Sequence, residues 1–100
     1  MDISARELKD RLEQKEALNI IDVRDLMEFQ TYNIGGRHIP LGKLAQEIEE
    51  FDFEKDDELI LICAHGVRSR TAVNLLEQSG FSNVRNLKGG ILSLRKLNEL

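Results

Sequence analysis

The stretch that decides the fold is Glu58-Leu59-Ile60-Leu61-Ile62-Cys63-Ala64-His65-Gly66-Val67-Arg68-Ser69, within a chain of 100 residues. Residues 59–62 are all large and aliphatic, which is typical of a central parallel strand that is buried on both faces. Gly66 can adopt backbone angles that other residues avoid, so the chain can turn sharply after the strand. Helical spacing of apolar residues starts at Val67. The stretch therefore predicts a buried strand, a tight loop and a helix.

Short strands alternate with helices on either side of this stretch. Ser4 begins a helix, with Glu7 placed to complete a capping box, and Leu26 and Phe29 are expected to face inward from a later helix. The predicted strands are 2–3, 18–23, 37–39, 58–62 and 84–87, and the predicted helices start at Ser4 or span 25–32, 41–51, 67–79 and 91–97. This alternation predicts an α/β fold with a mostly parallel, roughly five-stranded sheet covered on both faces.

Length and composition exclude several classes of protein. A chain of 100 residues is expected to form a single domain over residues 1–100. The net charge of -4 argues against a nucleic-acid partner, which requires a basic surface. No apolar run approaches the roughly 20 residues of a membrane span, and the first residues lack the apolar core of a secretion signal. We therefore expect a cytoplasmic protein with no membrane partner.

Cysteine and histidine counts limit the chemistry. One cysteine excludes an internal disulfide, a Cys-x-x-Cys pair and a cysteine-based zinc site. Two histidines leave little for a metal, so no metal and no cofactor are expected. The acidic runs at 47–50 and 54–58 are interpreted as solvated surface.

Cys63 occupies the position where α/β proteins place their sites, beyond the carboxyl end of a strand. The N–H groups of the following loop can turn toward the thiol and form a nest for an anion, which the start of the next helix reinforces. Arg68 adds a permanent positive charge. These features lower the pKa of a thiol, so Cys63 is predicted to be a nucleophile rather than a buried core residue.

A cysteine in an anion-binding loop fits phosphate-ester hydrolysis, arsenate reduction or sulfur transfer. Four residues separate Cys63 from Arg68, and position 69 is Ser. Tyrosine-type phosphatases place one residue more between Cys and Arg, and arsenate reductases generally need further cysteines. The shorter loop suits a nucleophile that itself carries an extra sulfur atom.

Four segments together resemble the rhodanese family. The loop from Cys63 to Ser69 is similar to its active-site loop, and the other three are Ile21-Asp22-Val23-Arg24-Asp25 with Glu28-Phe29, Gly36-Arg37-His38-Ile39-Pro40, and Asn86-Leu87-Lys88-Gly89-Gly90-Ile91. The resemblance implies a rhodanese-like three-layer α/β/α fold. Two features differ from many members of the family: Ala64 stands where they carry Arg, and the aromatic residue shortly after Gly-Gly-Ile is absent, so Leu94 or its neighbours must fill that space.

The resemblance also implies a sulfurtransferase in which Cys63 takes sulfane sulfur as a persulfide. The loop residues Ala64, His65, Gly66, Val67 and Arg68 would bind the persulfide and a small anionic donor such as thiosulfate. Asp22, Arg24 and Ser69 would support the pocket, although Asp22 and Arg24 also fit a plain salt bridge. The acceptor would be an external thiol or a sulfur-carrier protein. The alternative is a binding or regulatory module with the same fold, in which Cys63 is idle or senses redox state.

Overall fold

Five strands form one parallel sheet in the computed structural model, which describes residues 1–98. The strands are β1 (Asp2–Ile3), β2 (Ile20–Asp22), β3 (Arg37–His38), β4 (Leu59–Ile62) and β5 (Val84–Leu87). The helices are α1 (Ala5–Glu13), α2 (Leu26–Thr31), α3 (Leu41–Ile48), α4 (Val67–Gln78) and α5 (Gly90–Asn98). The strand order is β1-β5-β4-β2-β3, and every pair is parallel. The predicted α/β fold is confirmed, with a fully parallel sheet among the described residues.

The middle strand β4 divides the core into two halves. Leu59 and Leu61 pack on one face of the sheet with α3 and α4, while Ile60 and Ile62 pack on the other face with α1 and α5. All four side chains are fully buried, and each contributes about 1.5–3 kcal/mol to folding. The continuous apolar run thus produces the three-layer α/β/α arrangement and fixes where β4 ends.

Helix α2 begins with a capping box that the sequence analysis missed. The Asp25 carboxylate accepts from the Glu28 N–H at 2.8 Å, and the Glu28 carboxylate accepts from the Asp25 N–H at 3.2 Å. The prediction that Leu26 faces inward is wrong, because it begins this short helix beyond the end of β2 and is 57% exposed. Phe29 is partly buried and stacks on His38, with ring centroids 4.4 Å apart.

Two glutamates, one in the first turn of α1 and one directly before β4, also differ from expectation. Ser4 caps α1 by accepting from the Glu7 N–H at 3.0 Å, but the Glu7 carboxylate binds Arg85 at 2.8 Å instead of completing a capping box. Glu58, predicted to be solvated surface, accepts from Arg11 at 2.6 Å and Arg85 at 3.2 Å. Guanidinium groups on α1 and β5 therefore compete successfully with water for these carboxylates.

None of the helices within residues 1–98 has the length and apolar character needed to cross a membrane.

Candidate functional site

Cys63 follows β4 directly, and its sulfur lies inside a ring of hydrogen-bond donors. The Sγ atom accepts from the Gly66 N–H at 3.0 Å and from the Ser69 N–H at 3.4 Å, and the Ser69 hydroxyl lies 3.3 Å away. Gly66 has a φ of 96°, in the left-handed region that favours glycine. This turn brings its N–H back toward the sulfur, as the sequence predicts.

Helix α5 holds the first half of the loop in place. The Cys63 and Ala64 carbonyls accept from the N–H groups of Ile91 and Leu92 at 2.9 and 3.1 Å. Gly90 allows this approach, because a Cβ there would lie 2.3 Å from the Ala64 oxygen. With these carbonyls bound to α5, the backbone donors to the sulfur come from farther along the loop, from Gly66 and Ser69.

A buried amide on β5 supports the second half of the loop. Asn86 is 2% exposed, and its Oδ1 is hydrogen-bonded to the Ser69 hydroxyl. Its Nδ2 donates to the Gly66 carbonyl at 3.2 Å. The sequence analysis quoted Asn86 in a motif but gave it no role, although an amide in a predicted strand of the sheet is itself a signal, because a buried amide needs partners.

The expectation that Cys63 is not a buried core residue is wrong, because Cys63 packs in the core and is 1% exposed, yet hydrogen bonding outweighs burial at the thiol. Burial raises the pKa of Cys63, but the Ser69 hydroxyl and the N–H groups of Ser69, Gly66 and His65 lower it, and the net effect is a pKa below the ordinary value. These donors stabilise the charged sulfur more than the neutral one. The loop therefore favours a thiolate, which is the nucleophilic form of cysteine.

Arg68 is held by a carboxylate from α2. Its Nη1 and Nη2 donate to Glu28 Oε1 and Oε2 at 2.7 and 2.9 Å. This bidentate contact, despite the opposing effect of partial burial, lowers the pKa of Glu28 to about 2. The sequence placed Arg68 at the loop but missed Glu28 as its partner. The predicted role of Arg68 in binding an anionic donor stays a prediction.

Asp22 and Arg24 form a buried ion pair at the end of β2. Their side chains are 0% and 6% exposed, and Arg24 Nη2 lies 2.7 Å from Asp22 Oδ2. The same Nη2 donates to the Tyr32 carbonyl at 2.7 Å, and His38 Nε2 is 2.7 Å from the Arg24 carbonyl. The pair therefore ties α2 and β3 to the strand that lies beside β4, and its predicted role in supporting the pocket stays a prediction.

Comparison with known proteins identifies the family. The sequence of residues 4–96 matches the family described as the rhodanese-like domain. This chain belongs to the rhodanese family. The putative sulfurtransferase YtwF of Bacillus subtilis is 36% identical over 93 residues, which make up 92% of this chain and 87% of YtwF.

Two further similarities define the extent of the match. A rhodanese-like domain protein from Staphylococcus aureus has a TM-score of 0.82 at 30% identity, covering 94% of this chain and 91% of that structure. The putative sulfur carrier protein YrkF of Bacillus subtilis is 35% identical over 90% of this chain, which spans 48% of the length of YrkF. These relatives support a rhodanese-family role in sulfur transfer.

A small pocket opens beside the loop of this rhodanese domain. It has a volume of about 150 Å³ and is lined by Arg24, Ala64, His65, Ile91, Leu92 and Arg95. Ala64 and His65 thus lie at its wall, and their role in binding a donor stays a prediction, whereas the Val67 side chain is 75% exposed. The sequence analysis did not identify Arg95, which reaches the pocket from α5, because a basic residue on an amphipathic helix is usually solvated.

Proposed function

We propose that this protein is a sulfurtransferase that carries sulfane sulfur on Cys63. The observation that supports this is the sulfur at the end of β4, which accepts from the Gly66 and Ser69 N–H groups. A thiolate held this way needs no general base. The same donors would stabilise the terminal sulfur of a persulfide, whose negative charge lies one atom farther out.

Loading is a displacement at the sulfane sulfur of the donor. The Cys63 thiolate forms a new S–S bond, the S–S bond of thiosulfate breaks, and sulfite leaves with the electron pair. In the discharge step, the outer sulfur moves from Cys63 to an acceptor. An external thiolate attacks the outer sulfur of the persulfide, and the Cys63 thiolate leaves. Because the chain has one cysteine, the acceptor thiol must come from another molecule, either a small thiol or a sulfur-carrier protein.

Within this proposal, the loop residues Ala64 to Arg68 bind the donor and the persulfide, and Asp22, Arg24 and Ser69 support them. Ala64 and His65 line the 150 Å³ pocket, which has room for a small anion. A cytoplasmic location would suit the reaction, because reducing compartments keep a single cysteine free.

Intact mass after single turnover tests the proposal. The wild-type protein, incubated with thiosulfate or polysulfide and then desalted, should gain one sulfur atom, and cyanide should remove it. The matched control is Cys63→Ser, which changes one atom and should gain nothing, because a hydroxyl cannot hold sulfane sulfur. Its urea unfolding should match that of the wild type. A wild-type protein that gains no mass with any donor would favour the binding-module alternative.

A further inference from the structure

Arg95 brings a positive charge from the last helix to the pocket beside the Cys63 loop. It lies four residues after Ile91, so both side chains project from the same face of α5, and both line the pocket. The Ile91 N–H donates to the Cys63 carbonyl at 2.9 Å, and the Leu92 N–H donates to the Ala64 carbonyl at 3.1 Å. The start of α5 is thus fixed against the reactive cysteine and the residue after it, one helical turn from Arg95.

The aromatic ring of Tyr32 supports the Arg95 side chain. The guanidinium carbon lies 4.5 Å from the centroid of this ring, within the range of a cation–π contact. Stacking uses the flat face of the guanidinium, whereas its N–H donors lie in the plane of the group. The contact with Tyr32 therefore holds Arg95 in one position and leaves its donors directed away from the ring.

The charge of Arg95 is not neutralised within residues 1–98. No carboxylate in this range forms an ion pair with it, whereas Arg24, the other arginine of the pocket, is paired with Asp22 at 2.7 Å. None of the residues that line the pocket is acidic. The pocket therefore carries the positive charge of Arg95, which favours an anion.

The opposite side of Arg95 is less suited to an anion. The neighbouring cavity there is lined by Asp25 and Glu28 as well as by Arg95, and carboxylates at its wall repel a negative charge. An anion bound to Arg95 is therefore favoured in the pocket of about 150 Å³, whose wall contains Ala64, the residue next to Cys63.

We infer that Arg95 binds the anionic end of the sulfur donor and gives the pocket its preference for charged donors. The oxygens of thiosulfate accept from the Arg95 guanidinium, while the outer sulfur of the donor faces Cys63. The energy of a charge in a given potential is proportional to that charge, so a dianionic donor gains twice as much as a monoanionic one. This inference rests on the proposed sulfur transfer for its substrate, and it adds a donor-binding residue from α5 to those of the loop.

The matched variants are Arg95→Gln and Lys96→Gln. Each removes one positive charge from neighbouring positions of the same helix, but Lys96 lines neither of the two cavities beside Arg95. Both side chains are exposed, so the urea unfolding of both variants should match that of the wild type. A difference between the two variants therefore reports the position of the charge and not the net charge of the protein.

Binding is measured without chemistry in a Cys63→Ser background, which cannot take up sulfur. Thiosulfate is titrated while the backbone N–H signals are followed by NMR, and the signals of Ala64, His65 and Leu92 should shift and saturate. Arg95→Gln should weaken the Kd about fivefold, the upper range for an exposed ion pair. Lys96→Gln should weaken it by less than about twofold, because solvent and salt screen a charge outside the pocket.

Steady-state kinetics with Cys63 present give a second readout. Arg95→Gln should raise KM for thiosulfate about fivefold with little change in kcat, because a group that binds donor and transition state equally acts on KM. Methanethiosulfonate is a monoanion that releases methanesulfinate when the Cys63 thiolate takes its outer sulfur. Its KM should rise about twofold, since its charge is half as large. Equal effects of Arg95→Gln and Lys96→Gln, or thiosulfate-induced NMR shifts confined to residues outside the pocket, would overturn the inference.

The two experiments separate this inference from the proposed function. If thiosulfate binding depends on Arg95 but the wild-type protein gains no sulfur, the anion site stands and the proposed sulfur transfer fails. If the wild-type protein gains sulfur while neither Kd nor KM depends on Arg95, the sulfur transfer stands and the inference fails.

Discussion

Two neighbouring strand ends in this domain stabilise negative charge in opposite ways. After β2, the buried Asp22 carboxylate faces the full positive charge of Arg24 at 2.7 Å. After β4, the Cys63 sulfur, also buried, accepts from N–H dipoles of Gly66 and Ser69. Asp22 and Cys63 are 0% and 1% exposed, so burial does not distinguish them.

The difference explains why one group is structural and the other reactive. A carboxylate locked to a guanidinium has its charge cancelled, and separating the two leaves an uncompensated buried ion. Preorganised dipoles stabilise charge without cancelling it, so the sulfur keeps the charge that makes it a nucleophile. The charge at the end of β2 is therefore neutralised and has a structural role, whereas the charge at the end of β4 remains available for reaction.

The largest expected effect comes from breaking the pair after β2. Asp22→Asn leaves Arg24 buried without a counter-ion and should cost about 3–5 kcal/mol of unfolding free energy, the typical cost of removing one partner of a buried pair. Urea unfolding followed by circular dichroism measures this loss. The double variant Asp22→Asn with Arg24→Met removes both charges and should recover a large part of it. A loss below about 1 kcal/mol in the single variant would show that the pair is not structural.

A cation added beside Cys63 would give the end of β4 a full positive charge, as Arg24 gives the end of β2. Ala64→Arg places a guanidinium at the pocket wall and should lower KM for thiosulfate about tenfold, the value of one charge-assisted hydrogen bond. Ala64→Met is the control, since it adds length without charge and should leave KM nearly unchanged. Equal effects of Arg and Met would mean that the change acts through the loop backbone. No effect of Arg would mean that residue 64 faces away from the donor.

The smallest expected effect comes from removing one dipole. Ser69→Ala removes the hydroxyl at 3.3 Å, whose single proton points to Asn86 Oδ1 and can turn to the sulfur when the thiol ionises, and should raise the pKa of Cys63 toward its ordinary value. The lost hydrogen bond is worth about 1 kcal/mol, so iodoacetamide alkylation near neutral pH should slow several-fold. Alkylation rate against pH measures the change, with the distant Ser82→Ala as control. If the inflection stays at the wild-type pH, the Ser69 hydroxyl does not contribute to the lowered pKa of Cys63.

The same shift has a consequence for stability with a defined sign. Because the folded protein holds the pKa of Cys63 below its unfolded value, the thiolate stabilises the fold. This contribution is fully present above the unfolded pKa and is lost as the pH falls through the folded pKa. Ser69→Ala should therefore reduce the rise in stability between these two pH values.

The features that could be predicted from the sequence are those that depend on residues close together in the chain. The aliphatic run 59–62 allows only a buried strand, because no exposed face remains, and Gly66 marks the turn that brings an N–H back to Cys63. Strand β4 and the thiol loop follow from these constraints. The loop contacts depend on residues within six positions of Cys63, which is why spacing alone could indicate them.

Partners that are distant in the chain could not be predicted. Glu28 lies 40 residues before Arg68, and Asn86 lies 17 residues after Ser69. The sequence offers several carboxylates for each arginine, and only the fold, which places the ends of β2 and β4 side by side, brings Glu28 to Arg68. Leu26 was misplaced for a related reason: its spacing to Phe29 is helical, but the spacing does not reveal that the helix starts beyond the sheet.

The direction of the last helix has a consequence for fusion proteins. Helix α5 starts beside the Cys63 loop and ends at Asn98, which lines the same surface cavity as Leu12 and Glu13 at the end of α1. The first strand differs, because Asp2 pairs in register with Asn86 and binds Arg70 at 3.1 Å, so it lies close to the level of the loop. A tag, a surface tether or a second domain joined after α5 would therefore leave the approach to the sulfur clearer than one joined before β1.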